Sequence, residues 1–168
     1  MPFTPLHLGP GLLLGMIFTR WVNLPSILLA SIIVDVRAIY LALFVGDWSN
    51  LHGFFHTFVG APILGLLTIV LIWLLRRPLL KASAIIKIEQ DYSLKSIIAG
   101  SLTGVWMHII LDSYMHKDIL PFWPFYEGNP LYGGMSASFK LLGICLFGFL
   151  IGFVSYLFKI INKRNTYA

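Results

Sequence analysis

The sequence has little charge. Of its 168 residues, 11% are charged and 58% are apolar, whereas soluble domains carry about 25% charged residues. Apolar runs of about 20 residues recur, which is the length that crosses a bilayer. A chain of this size cannot bury so many apolar helices in one soluble core. The composition therefore excludes the soluble class and predicts an all-α, polytopic integral membrane protein, with a single transmembrane helical domain over residues 1–168.

Cysteine is nearly absent as well. The single cysteine, Cys145, lies within an apolar run, so an intrachain disulfide and a thiolate metal cluster are excluded. Any metal site must use nitrogen and oxygen ligands. The net charge of +5 does not indicate a nucleic-acid partner, because the basic residues gather at the ends of apolar runs, where topology and lipid headgroups explain them. The expected partner is membrane lipid.

About five apolar segments follow one another along the chain. In order, they span residues 5–19, 24–45, 53–75, 96–115 and 141–161. The first is short, so the sequence leaves open whether it crosses fully or re-enters. A separate interfacial helix is a further expectation near 78–90, where apolar and basic residues mix.

The basic residues set the expected orientation. If the five segments alternate, nine basic residues fall on one side, namely Arg20, Arg76, Arg77, Lys81, Lys87, Lys95, Lys159, Lys163 and Arg164. Lys117 and Lys140 fall on the other. Because basic loops stay in the cytoplasm, we expect a multi-pass protein of the cell membrane with its N-terminus outside and its C-terminus in the cytoplasm. All histidines then lie at or near the outward ends, namely His7, His52, His56, His108 and His116.

The fourth segment carries the clearest metal-binding pattern. His108 and Asp112 are one helical turn apart and project from one face, and His116 follows one turn later. An imidazole nitrogen and a carboxylate oxygen are ligands for zinc and other divalent ions. The alternative is a buried hydrogen-bonded pair that holds helices together. Other histidines expected at the same depth favour metal binding.

Two further histidines begin the third segment. His52 and His56 share a face if the helix starts before His52, and His56 then lies one turn deeper. A pair of interfacial rings flanking a transmembrane helix is the alternative, and it is stronger for His52. His7 stands alone near the N-terminus, and its expected depth matches that of the others.

Asp35 lies mid-way along the second segment. A carboxylate at that depth costs roughly 2.5–3.5 kcal/mol to insert, so it must be paired or bound to a ligand. Arg37 is two positions away and points to a different helix face, so the partner of Asp35 is expected on another helix. Arg37 then either clamps an anionic group such as phosphate or pairs with a neighbouring helix.

The order of these residues resembles a known family. The matching elements are Phe3-Thr4-Pro5 before His7, then Asp35, Gly53-Phe54-Phe55-His56-Thr57, His108-Ile109-Ile110-Leu111-Asp112 and Pro121-Phe122-Trp123-Pro124. They are similar to the integral membrane proteins named membrane-bound metal-dependent hydrolases, which carry an early His, Pro-Asp-x-Asp, Arg-Gly-Phe-Thr-His-Ser, and His-x-x-x-Asp followed by Trp-Pro. The resemblance extends to Pro124 and implies a metal-dependent hydrolase.

The chain departs from that pattern at several positions, four of which bear on the site. Val34 and Arg37 replace the proline and the second acid of Pro-Asp-x-Asp, His52 replaces the arginine, and Leu51 stands where that branch of the family often has an additional histidine. Losing a carboxylate and gaining a cation weakens the case for two metals. At most one tightly held ion is therefore expected.

The first functional hypothesis is an enzyme. Its divalent ion, with zinc preferred, would be held by His56, His108 and Asp112 together with His7 or Asp35. Asp35 or His52 would accept a proton from a metal-bound water, and Arg37 would stabilise a phosphoryl oxygen. A lipid or lipid-linked phosphoester at the outer membrane surface is the expected substrate, with an amide or peptide left open.

The second hypothesis is a non-enzymatic membrane scaffold or partner subunit, in which the same residues form a structural metal site or polar cluster. A closed coordination shell would favour structure, and an open position would favour catalysis. Ion or proton transport through Asp35, Arg37 and Asp112 ranks third. The sequence leaves open the oligomeric state and whether His116 and Asp118 join the site.

Overall fold

Every regular element in the described part of the chain is helical, which confirms the all-α class. The computed structural model describes residues 4–47 and 51–166, so Phe3 of the N-terminal motif lies outside it. The α-helices are α1 (Leu8–Ile17), α2 (Leu24–Ile33), α3 (Val36–Tyr40), α4 (Ala61–Ile85), α5 (Leu94–Met115) and α6 (Gly134–Thr166). A 3₁₀ turn (Thr4–His7) leads into α1, a π-helical turn (Leu41–Val45) extends α3, and a second 3₁₀ turn spans Phe54–His56.

The described residues contain three helices that are long and apolar enough to cross a membrane, α4, α5 and α6. A fourth span results if α2 and the segment Val36–Val45 are taken together, since a bend of 48° separates them. The first apolar segment forms a shorter helix, Pro5–Ile17. The structure thus supports three or four spans, and the predicted number of about five is reached only by including the short first helix.

Local sequence signals explain where two helices begin. Asn23 accepts a hydrogen bond from the backbone N–H of Ser26 at the start of α2, and Pro25 occupies the first turn. Ser93 accepts a hydrogen bond from the N–H of Ser96 at the start of α5. These caps satisfy N–H groups that have no partner within their own helix.

The third segment differs from its prediction at both ends. The chain is extended at Gly53 and Thr57, and α4 starts only at Ala61. At the other end α4 continues to Ile85 through Pro78, which removes one N–H donor on an exposed surface without ending the helix. The separate interfacial helix expected near 78–90 is therefore wrong, because most of that stretch completes α4.

Small residues bring α5 close to α2. A Cβ on Gly100 would lie 2.1 Å from Ser26 Oγ, and one on Gly104 would lie 2.5 Å from the Cβ of Ala30. Gly100 and Gly104 are four residues apart, the spacing at which small residues let membrane helices approach. His108 comes one turn later on the same face, so this contact brings its ring against α2.

The first helix packs on α6 in a similar way. A Cβ on Gly9 would overlap the backbone carbonyl of Cys145. Further along the pair, Lys159 Nζ donates to the carbonyl of Met16 at 2.7 Å and to Thr19 Oγ1 at 2.9 Å. These contacts at both ends of α1 prevent it from sliding along α6. They thereby fix the position of His7, which lies just before the N-terminal end of α1.

The two ends of the helix bundle differ in chemistry. At one end, Asn23 Nδ2 donates to the carbonyl of Asp91, and Tyr156 Oη donates to the carbonyl of Ile86. The first bond joins the connection before α2 to the one before α5, and the second joins α6 to that same connection. Both connections carry basic residues, namely Arg20 and Lys87. The buried histidines and aspartates gather towards the opposite end. Between the ends, the outer surfaces of α4 and α6 are largely exposed and apolar, as lipid-facing helices require.

Candidate metal centre

Buried imidazoles and carboxylates from four parts of the chain meet at one end of the bundle. His7 comes from the turn before α1, Asp35 from the break between α2 and α3, and His56 from the 3₁₀ turn before α4. His108 and Asp112 come from one face of α5. All five are buried, with exposed fractions between 0% for His108 and 7% for Asp35. Such groups are costly inside a membrane protein unless they bind something.

Four of these residues form a compact donor set, which we call the inner group: Asp35, His56, His108 and Asp112. One ligand atom from each lies within 4.8 Å of all the others. The Nε2 of His56 is 3.1 Å from Asp35 Oδ1, and the Nε2 of His108 is 3.1 Å from Asp112 Oδ2 and 3.4 Å from Asp35 Oδ1. Ligands about 2.1 Å from one ion lie about 3.0–3.4 Å from their neighbours. These three distances match, whereas His56 Nε2 and Asp112 Oδ2 are 3.9 Å apart, so the donor set would fit a divalent cation after a small contraction.

His108 is oriented as a metal-binding histidine would be. Its Nδ1 lies 2.8 Å from the carbonyl oxygen of Ser31, and because a carbonyl only accepts, Nδ1 carries the proton. The Nε2 atom is buried and makes no well-directed hydrogen bond, although two carboxylates are close. This arrangement is expected at a metal site, because the nitrogen and the carboxylate oxygens all point at the ion and do not form hydrogen bonds with one another.

His7 joins the inner group through Asp112. Its Nε2 lies 3.0 Å from Asp112 Oδ1, and its ring centroid is 4.4 Å from that of His108. Neither ring nitrogen of His7 makes a hydrogen bond. His7 is therefore placed either to orient Asp112 or to act as a further ligand.

A second donor set, which we call the outer group, consists of His52, Asp112 and His116. One ligand atom from each lies within 4.8 Å of the other two. The ring of His52 lies 4.5 Å from that of His116 and 4.8 Å from that of His56, measured between centroids. Nδ1 of His52 is also 2.7 Å from Asp118 Oδ2. Asp112 thus belongs to both groups.

Burial and contacts shift the pKa of groups beside the membrane spans. Burial lowers the pKa of His56, although its hydrogen bond to Asp35 acts the other way. Burial also lowers the pKa of His116, against the charge of Asp112. Burial raises the pKa of Asp118, but the hydrogen bond and charge of His52, a backbone hydrogen bond and His116 together lower it. For the histidines, a lowered pKa favours the neutral imidazole, which is the form that binds a metal.

Arg37 lies beside the loop that carries His52. Its Nη1 donates to the carbonyl of Leu51 at 3.1 Å, and a Cβ on Gly53 would lie 3.0 Å from the same nitrogen. Two of the positions at which the sequence departs from the resembled pattern, 37 and 52, are therefore close together in space. The guanidinium supports the loop 51–56 through this contact, and its predicted phosphoryl contact stays a prediction.

A pocket of about 280 Å³ opens beside the outer group. His52 and Asp118 form its polar edge. Its apolar lining includes Phe54, Leu120 and Trp123. Small-molecule sites are commonly concave and apolar, with a few polar groups that fix orientation, and this pocket has that composition.

A family model covers nearly the whole chain. The family described as YdjM inner membrane protein matches residues 1–167. The chain belongs to this family. No curated protein and no solved structure matches the chain. Membership supports a multi-pass inner-membrane protein, as the composition predicted, but it does not bring a hydrolase activity with it.

The metal-ligand residues named from the sequence come together in the structure, with one difference from the expected arrangement. His52 and His56 do not share a helix face, because residues 51–60 precede α4 and only Phe54–His56 form a 3₁₀ turn. Asp35 does find partners on other segments, His56 and His108. Sequence reasoning left the positions of His116 and Asp118 open, although the spacing of His116 one turn after Asp112 was a usable signal.

Proposed function

We propose that this membrane protein is a metal-dependent hydrolase whose ion is held by the inner group. The observation that carries the proposal is the convergence of two imidazoles and two carboxylates on one buried point. A mixed nitrogen and oxygen donor set suits zinc and also manganese or iron. Zinc is the expected ion because imidazoles and carboxylates are its usual protein ligands, and three of the four residues at a time would leave a fourth position open for water.

The chain's own residues have separable tasks in this proposal. Ser31 holds His108 in the tautomer that leaves Nε2 free, and Nε2 of His7 lies 3.0 Å from one oxygen of Asp112, where it would orient that carboxylate. A divalent ion held there would lower the pKa of a coordinated water towards neutral. His52, whose Nδ1 is 2.7 Å from Asp118 and which lines the pocket, would be the group that accepts a proton from it.

The substrate we propose is a lipid or a lipid-linked phosphoester. The pocket is lined by apolar side chains and lies in the connections next to the membrane spans. An acyl or prenyl chain would lie against Phe54, Leu120 and Trp123, while its polar head would lie at His52. Arg37 is close enough to the loop to contribute charge to that head.

Metal analysis of purified protein in detergent tests the metal site. Wild type should retain a divalent ion after dialysis, and His108→Ala and Asp112→Ala should each lose most of it, because each removes a buried ligand. Lys117→Ala is the control, since Lys117 is an exposed neighbour of the site. Equal and negligible metal in wild type and in both ligand variants would refute the proposal.

Activity is tested separately with defined lipids. Purified protein loaded with zinc should release phosphate from vesicles that contain phosphatidic acid or a polyprenyl phosphate, and His52→Ala should slow that release while metal content at the inner group persists. Metal binding without hydrolysis of any phosphoester, amide or peptide tested would reject the enzyme and leave the metal site standing.

A structural metal site is the second candidate, and burial favours it. The exposed fractions are 0% for His108, 1% for His56, 3% for Asp112 and 7% for Asp35, so the inner group is well enclosed. Cobalt substitution distinguishes the two candidates. If an open coordination position exists, azide should change the visible spectrum of the cobalt protein; an unchanged spectrum would indicate a closed, structural shell.

The orientation is also part of the proposal. The basic end should face the cytoplasm and the metal site should face outward, because basic connections are retained inside. In a Cys145→Ala background, an impermeant maleimide should label Glu127→Cys in intact cells and Lys95→Cys only after lysis. Both positions are exposed and lie near opposite ends of α5. The reverse pattern of labelling would invert the topology.

A further inference from the structure

We infer that the protein holds two divalent ions, the second at the outer group of His52, Asp112 and His116, with the Asp112 carboxylate shared between both. This inference rests on the proposed function, because it adds a second ion to the same site. With that ion bound, His52 would be its ligand and would no longer be the proton acceptor. It differs from the sequence-based expectation of a single ion, which counted carboxylates along the chain and left His116 undecided.

The geometry of the outer group supports a second ion. His52 and His116 come from different segments, yet their rings lie 4.5 Å apart between centroids, and each offers a nitrogen within 4.8 Å of an Asp112 oxygen. Three ligands about 2.1 Å from one ion lie about 3.4 Å apart in a tetrahedral shell. A contraction of at most about 1.4 Å would therefore bring these three atoms into one coordination shell.

Asp118 provides an independent indication. Its Oδ2 lies 2.7 Å from Nδ1 of His52, so the carboxylate fixes the ring and leaves Nε2 as the nitrogen for a cation. Metal-binding histidines are usually held in this way by a carboxylate or a carbonyl on their other nitrogen. The same logic applies at the inner group, where Ser31 holds His108.

The position of His116 is also fixed by the fold. Asn129 Nδ2 donates to the carbonyls of Ser113 and His116, both at 2.7 Å. Asn129 thus ties the C-terminal end of α5 to the following loop. The backbone that presents His116 is therefore held next to Asp112 without help from a metal.

Sharing Asp112 links the buried group to the pocket. A carboxylate has two oxygens, and carboxylate-bridged ions about 3.5–4 Å apart are a common arrangement in hydrolytic sites. The inner group is enclosed, whereas His52 lies on the pocket wall and His116 is partly exposed. A substrate in the pocket could therefore reach an ion at the outer group. It could hardly reach an ion at the inner group, because that group is enclosed. Two ions held by these residues would supply charge to both the attacking and the leaving oxygen of a phosphoester.

Metal stoichiometry on the intact protein tests the inference without an activity assay. Detergent-purified wild type, loaded with zinc and dialysed, should retain two ions per chain. His116→Ala, with His116→Gln as a second variant in case the alanine form does not fold, should retain one. Asp118→Asn should weaken the second ion by about 10–100-fold, and Glu127→Gln, another exposed carboxylate in the same loop, should not.

The possible results separate this inference from the proposed function. Two ions in wild type and one in the His116 variants support it. If wild type binds one ion, and His116→Gln retains it while His108→Ala loses it, the second site is overturned and the inner-group site stands. One ion that both variants remove would also overturn it, since a single ion would then be shared. No ion in any form would overturn both proposals.

Discussion

Gly104→Ala tests whether helix packing sets the metal site. The added Cβ would lie 2.5 Å from the Cβ of Ala30 and 2.7 Å from the carbonyl oxygen of Ile27. Carbon atoms in contact prefer about 3.5–4.0 Å. Because a backbone atom is among those met, side-chain rotation cannot relieve the overlap, and α5 must move away from α2 by about 1 Å.

That displacement acts directly on His108. The distance from its Nδ1 to the Ser31 carbonyl, 2.8 Å, would grow to about 3.8 Å, beyond a hydrogen bond. The distance from its Nε2 to Asp35 Oδ1, 3.4 Å, would grow to about 4.4 Å. Two ligands of one ion lie at most about 4.2 Å apart, so His108 and Asp35 could no longer share it.

Zinc affinity, measured by competition with a chromophoric chelator, is the assay. We expect Gly104→Ala to weaken binding by at least about 10-fold, comparable to the loss of a supporting contact, and to destabilise the fold by about 1–3 kcal/mol through overpacking. Gly143→Ala is the matched control, because its Cβ would have nothing within 4 Å. Wild-type zinc affinity in a folded Gly104→Ala protein would refute this link between packing and site.

Two further predictions concern the basic end of the bundle. Asn23→Ala removes the cap on Ser26 and the bond to the Asp91 carbonyl, so thermal unfolding should show a loss of about 1–3 kcal/mol; an unchanged melting temperature would contradict the role of this link. Lys159→Met keeps the apolar stem but removes the bond to the Met16 carbonyl, and should cost about 1 kcal/mol without changing zinc affinity. Weaker zinc binding in this variant would contradict the separation of the two ends.

Hydropathy and charge were sufficient to predict the class of fold. Long apolar runs require helices in a membrane, because each helix satisfies its own backbone hydrogen bonds. A buried aspartate likewise required a partner on another segment, which the structure provides for Asp35. The first inference depends on the lipid environment and the second on the cost of burying a charged side chain. Both can be made without knowing how the helices pack.

The details that depend on tertiary contacts could not be read from periodicity. Residues 51–60 are apolar enough for a helix, yet Gly53 is extended and Thr57 Oγ1 bonds locally to the N–H of Gly60. A shared helix face for His52 and His56 was therefore the wrong explanation for their proximity. The spacing of Gly100 and Gly104 did carry usable information, since both lie on the face of α5 that presents His108.

Anomalous diffraction at the zinc absorption edge, from crystals grown in a lipid phase with zinc, tests the central claim most directly. The account predicts a strong peak among His56 Nε2, His108 Nε2, Asp35 and Asp112 Oδ2, with these atoms about 2.0–2.2 Å from it. A direct hydrogen bond from His108 to Asp112 with no anomalous density between them, in protein shown to be fully exposed to zinc, would contradict it.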